Sequence, residues 1–473
     1  MSSVAAVRRV PVPAVRAALL ALTAPLVLAL LLAAAPAHAI DIQRVESPGG
    51  IEAWLVEDHS VPVISMAFGF RGGSALDPEG RAGLANLVSV LLDEGAGDLT
   101  SAEFQERLTD RAINLSFDAG ADGFYGSLET VTANAGEAFD LLRLALTEPR
   151  FDSDAVERMR AAVTAEIRRR VANPDWMARR AYFDVAFPEH PYGRPSRGTV
   201  ASLNAITIDD LHGFVDRRLA RDNLTVAVAG DITPERLGEV LDEVFGALPA
   251  AAAPAEVPDI GPQGDGAEVL VERSGPQSVL LVAQPGIDRL DPDYYAAYVL
   301  NHILGGSGFT SRLNSELREQ RGLTYGMYSR LVDYDHASLL FAGGATSNEN
   351  VEEAVEAIRA IWRDVAENGV TQEALDDAKT YLTGSYPLQF TSTDRIASVL
   401  RAVQMEGLEI DYVNRRNALI EAVSLDDVNR VAASLLAPDD LTVVVAGAPA
   451  GFDPAVRTTA AALAERELAE GGT

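Results

Sequence analysis

Arg318 and Tyr325 stand out as side chains able to do chemistry. They sit in Ser311-Arg312-Leu313-Asn314-Ser315-Glu316-Leu317-Arg318-Glu319-Gln320-Arg321-Gly322-Leu323-Thr324-Tyr325. A helix is expected over Ser311–Gln320, with Gly322 as its left-handed C-cap. Residues 323–329 are then expected to run back as a strand, bringing Tyr325 near the last helical turn. A guanidinium beside a phenol aims two donors at one point. That suits a peptide carbonyl, and suits better the oxyanion formed when water attacks it. The bland reading is an Arg–Tyr contact that only stabilises the helix end. The preceding Gly305-Gly306-Ser307-Gly308 lacks the lysine and spacing of a phosphate loop and reads as a turn.

Metal chemistry has little to draw on. Beyond residue 39 the histidines are His59, His190, His212, His302 and His336, and no two lie within four residues of each other. No helix can therefore present an i, i+4 imidazole pair to zinc. Each has an ordinary structural reading as a lone histidine. The chain has no cysteine, which excludes disulfides, thiolate ligands and a lipidated N-terminal cysteine.

The elements that must position these residues come in two copies. Thr207–Gly230 and Ser424–Gly447 align without a gap at an offset of 217, with 11 of 24 positions identical. In each, Thr or Ser is the N-cap of a helix with two aspartates in its first turn. An Asp-Asn or Asp-Asp turn and a buried Leu-Thr-Val-x-Val-Ala-Gly strand follow. Duplication is the economical explanation. The Ala/Pro run at 249–262 reads as an extended linker, giving an N-terminal domain at 40–248, a C-terminal domain at 263–450 and a tail at 451–473. The tail shows no obvious core face beyond a possible short alanine helix. Strands and helices in this order predict an α+β fold, one sheet per domain covered on one face.

Net charge is −30, a surface that repels nucleic acid and anionic lipid. It would tolerate basic peptides, though solubility alone also explains it. Arg8, Arg9 and Arg16, the apolar run 17–35 and Ala37-His38-Ala39 read as a signal peptide at 1–39 cleaved before Ile40. Cleavage would lower the net charge to −33, since the chain at −30 loses three arginines. The expected location is the periplasm, without stable membrane insertion; an uncleaved inner-membrane anchor is the alternative.

The Ser-Arg-Leu…Leu-Arg-Glu-x-x-Gly-Leu-x-Tyr pattern resembles the second-half motif of the pitrilysin/insulinase-type, mitochondrial processing peptidase-like metallopeptidases. Gly83-Leu84-Ala85-Asn86-Leu87-Val88-Ser89-Val90 resembles their zinc helix, Gly-x-Ala-His-x-x-Glu-His. Here Asn86 and Val90 stand at the ligand positions and Ser89 at the general-base position. Glu166, 76 residues after Val90, matches the spacing of the third ligand. It is either a relic of that site or a surface glutamate paired with the arginines at 168–170. The resemblance implies two tandem homologous αβ-roll domains of the LuxS/mitochondrial processing peptidase-like metallohydrolase fold. It further implies a zinc-free subunit with no cofactor of its own. Its zinc-bearing sister would carry the metal, while Arg318 and Tyr325 bind unstructured peptide and stabilise the tetrahedral intermediate. A proteolytically inactive scaffold or a peptide-binding protein of the same fold is the alternative.

Overall fold

Both copies of the repeat form the same helix cap. Thr207 Oγ1 accepts the Asp210 amide at 3.2 Å while Asp210 Oδ2 accepts the Thr207 amide at 2.9 Å. Ser424 and Asp427 repeat the exchange at 3.1 Å in each direction. Such reciprocal caps satisfy two donors that a helix start leaves orphaned. The computed structural model of the chain describes residues 40–469, apart from 265, 307 and 309. The expected signal peptide lies outside them. No helix among the described residues is long and apolar enough to cross a membrane.

From Ile42 onward the chain folds as one unit built on two six-stranded sheets. The N-terminal half supplies β1 Gln43–Glu46, β2 Glu52–Glu57, β3 Val63–Arg71, β4 Asn114–Ala119, β5 Gly123–Val131 and β6 Leu224–Gly230. Their spatial order is β1-β2-β6-β3-β5-β4. The C-terminal half supplies β7 Glu268–Glu272, β8 Gln277–Pro285, β9 Thr324–Tyr334, β10 Ala337–Ser347, β11 Thr442–Gly447 and β12 Val456–Thr459. These run β9-β10-β8-β11-β7-β12. Reversed, the second order matches the first, and the duplicated strand lies parallel to the first long strand in both: β6 to β2, β11 to β7. The outermost strands differ, because β1 pairs antiparallel with β2 while β12 pairs parallel with β7.

Each sheet carries its own helices on one face, as expected. The second face is covered too, and the cover comes from the other half. Strand β11 is apolar at successive positions. Val443 and Val445 enter the C-terminal core, while Val444 and Ala446 point the other way, onto Ala178 and Tyr182 of the Pro174–Ala186 helix. A strand apolar on both sides needs both sides buried. In return, the Thr393–Met405 helix lies on β3 and β6, with Ala397 against Ala67 and Ala229. Ser65 Oγ meets Thr393 Oγ1 at 2.8 Å, and Gln404 Nε2 donates to Val226 O at 3.0 Å.

The tail also differs from the sequence reading. It adds β12 to the second sheet, and its Ala460–Leu468 helix packs Ala464 and Leu468 on the N-terminal core. The segment 249–262 contains neither helix nor strand, and is pinned where Ile260 N donates to His336 O at 2.9 Å.

Candidate functional site

The degenerate zinc helix is short. It spans Leu84–Ser89 and gives way to turns at Val90, so the second ligand-like position falls just past the helix. Gly83 precedes it with φ +90°, a left-handed conformation that favours glycine, and a Cβ there would fall 2.6 Å from the Arg197 carbonyl oxygen. Buried Asp77 caps the helix by accepting the Gly83 and Ala85 amides at 2.8 and 3.0 Å. Burial pushes the Asp77 carboxyl up to about 7, against the pull of those amides and of the Arg194 guanidinium.

Nothing here fits zinc. Val90 offers no donor. Asn86 is buried, and its Oδ1 accepts no hydrogen bond among the described residues. Buried Ser89 donates its hydroxyl to the Asn86 carbonyl at 2.8 Å. Glu166, on the Ser153–Arg170 helix, accepts from Arg197 Nη1 at 2.7 Å and forms an ion pair with Arg170 Nε at 3.0 Å. A divalent ion would have to displace two guanidiniums to gain that single carboxylate. Among the described residues no group of three His, Asp or Glu side chains is arranged to hold a metal ion. The histidines have local partners instead. His59 lies between Asp231 and Glu57 at 2.5 and 2.8 Å, and these hydrogen bonds raise its pKa. His190 meets the Pro258 carbonyl at 2.8 Å and His336 meets Asp259 at 2.8 Å. The rings of His212 and His302 lie 5.0 Å from Phe151 and Tyr381.

In the other half, Arg318 sits half-buried in a π-helical turn, Asn314–Gln320, that replaces most of the expected α-helix. The Arg321 amide accordingly bonds back to Glu316 O at 3.2 Å, and Gly322 follows at φ +65°. Such widened turns recur at functional sites. Tyr325 is the second residue of β9, an edge strand, at a break in register between Thr324 and Met327, and is 86% exposed. The break arises because the next amides turn aside. Gly326 N donates to Thr324 Oγ1 at 2.7 Å and Met327 N to Asn314 Oδ1 at 3.0 Å. Fully buried Asn314 also donates to Gly308 O at 2.9 Å and Ser311 Oγ at 3.1 Å.

Asn314 and Asp77 are thus the residues that hold the two candidate segments in shape. Sequence reasoning did not single out either one. Each sits among other polar residues, in 74–80 and 311–318, where nothing in the spacing marks it out, and its hydrogen-bond partners appear only once the chain has turned back.

The chain is similar to several known proteins. Residues 205–382 match the family described as Peptidase M16 inactive domain. The non-peptidase homolog YmxG of Helicobacter pylori is 28% identical over 393 residues, covering 82% of this chain and 90% of that protein. An uncharacterized zinc protease of Streptomyces coelicolor is 29% identical over 403 residues, 84% of this chain and 87% of its own length. A crystal structure of a peptidase M16 inactive domain from Pseudomonas fluorescens superposes with a TM-score of 0.81 at 28% identity, over 88% of this chain and 99% of that one.

Proposed function

Because this chain resembles proteins described as Peptidase M16 inactive domain and as a non-peptidase homolog, we propose that it is the zinc-free subunit of a heterodimeric periplasmic metallopeptidase. A sister chain with a His-x-x-Glu-His helix would bring zinc, the Lewis acid for amide hydrolysis. This chain's part is to hold an unstructured peptide and to donate hydrogen bonds from Arg318 and Tyr325 to the oxygen that gains charge as the scissile carbonyl becomes tetrahedral. The observation that carries the reading is the contrast between the halves. The Asn86/Val90 positions have no ligands to offer, whereas Tyr325 stands open on an edge strand beside the turn that bears Arg318. An open edge strand also gives an extended peptide a row of backbone partners.

The test is reconstitution. The chain is co-purified with a zinc-bearing sister, and cleavage of quenched peptides is measured for wild type and Arg318→Ala. Loss of roughly a hundredfold in turnover with intact assembly supports the role; unchanged turnover removes it. The relative named a non-peptidase homolog favours a second reading, peptide capture or scaffolding without cleavage. That reading predicts peptide binding but no hydrolysis with any sister chain. For location, the expected result is an envelope-fraction protein whose N-terminus is Ile40.

A further inference from the structure

Beyond that reading, a groove lined mainly by the N-terminal half carries a charge that opposes that of the whole molecule. Acidic residues outnumber Lys and Arg 69 to 39 along the chain. Yet a cleft of about 290 Å³ between the Ser153–Arg170 helix, the Pro174–Ala186 helix and the loop 191–198 gathers Arg170, Arg179, Arg180, Arg194 and Arg197. Past Trp176 it continues into a second depression that adds Arg169. Together the two hold six arginines against Glu166, Asp175 and Glu467.

The pairing inside the groove leaves positive charge over. Arg170 and Arg197 share the one carboxylate of Glu166. Arg180 is held by Asp184 and Glu467, and Asp184 is shared in turn with Arg466. Arg194 spends its guanidinium on the carbonyls of Asp77 and Ala75, each at 2.8 Å. Arg179 is exposed and faces Arg330 and Tyr334, with no ion pair among the described residues. A concave wall focuses such a field, and planar guanidiniums grip carboxylates with paired hydrogen bonds. Trp176, Phe183 and Tyr334 give the groove apolar walls for the stems of bound side chains.

We propose that this groove binds an acidic peptide segment, with Asp or Glu carboxylates seated on Arg179 and Arg170 and its chain lying across Trp176. The dimensions admit one or two side chains, and the strongly negative remainder of the molecule repels long polyanions and anionic membranes. The site belongs to this chain alone and needs no catalytic partner, so its failure and that of the heterodimer reading are separable.

The experiment uses the full chain, with Trp176 as reporter, because Trp54 and Trp362 are buried at 4% and 1% exposure. Hexaglutamate, hexalysine and an uncharged Ser/Gly peptide of equal length are titrated, and calorimetry repeats the measurement without fluorescence. Expected results are a shift with hexaglutamate alone, weakening as salt rises, and at least roughly tenfold weaker binding in Arg179→Glu. Arg179 is exposed, so the variant should fold; its melting temperature checks this. Hexaglutamate binding that is absent, or unchanged in Arg179→Glu, overturns the proposal. So does equal displacement by inorganic phosphate, which would mean a site for any anion.

Discussion

Asn314 Oδ1 accepts the backbone N–H of Met327 at 3.0 Å, tying the π-helical turn that bears Arg318 to the strand that bears Tyr325. The two candidate donors are thus placed relative to each other by a third residue that is wholly buried. Its amide is saturated on both sides, which makes the arrangement rigid rather than incidental.

Asn314→Ala should leave the Met327 amide buried and unpaired, costing about 1–3 kcal/mol in urea unfolding. In the reconstituted complex it should also lower turnover without touching substrate. Normal stability would show that the tie is dispensable.

Tyr325→Phe removes one hydroxyl from an exposed side chain. Unfolding free energy should stay within about 0.5 kcal/mol of wild type, while turnover with the sister chain falls by roughly tenfold or more. A stability loss without a rate effect would assign Tyr325 to structure.

Metal removal should be silent. Glu166 is engaged by Arg170 and Arg197, and Val90 carries no donor. A chelator should therefore leave the melting temperature of the isolated chain unchanged, and Glu166→Gln should cost no more than about 1 kcal/mol, as for exposed ion pairs. Stoichiometric zinc in the purified chain would contradict this.

Asp77 should give stability an unusual pH slope. Its folded carboxyl titrates near 7 rather than at the ordinary 3.8. Between those values the folded state keeps a proton that the unfolded chain has released. Rising pH therefore favours unfolding, and this contribution to stability is lost from about pH 4 to about pH 7. Asp77→Asn should flatten the slope in denaturation curves taken across that range; an unchanged slope would assign it to other groups.

The halves meet through small residues. Ala397 packs on Ala67 and Ala229 and is 1% exposed. Ala397→Leu should cost about 1–3 kcal/mol through overpacking and speed proteolysis within 249–262. A neutral result would show that the Thr393–Met405 helix can lift from the sheet.

Much of this molecule was legible before any coordinates, wherever the relevant partners are neighbours in sequence. The Thr207/Asp210 and Ser424/Asp427 caps, the left-handed Gly322 and the repeated Leu-Thr-Val strand act over a few residues, so composition and spacing reveal them. The missing imidazole pair is equally local. The shortened zinc-like helix was less so. Its apolar residues continue past Ser89, but the turns after it are set by contacts that no periodicity records.

What only the tertiary structure decided involves partners far apart along the chain. Glu166 meets Arg197 across 31 residues, Ser65 meets Thr393 across 328, and Arg466 reaches Asp184 across 282. The exchange of covering helices between the sheets, and the gathering of arginines on an acidic protein, arise from such pairings. The physical reason is that side-chain chemistry states what a residue needs, a counter-charge or a buried face. Chain closure in three dimensions selects which distant residue supplies it.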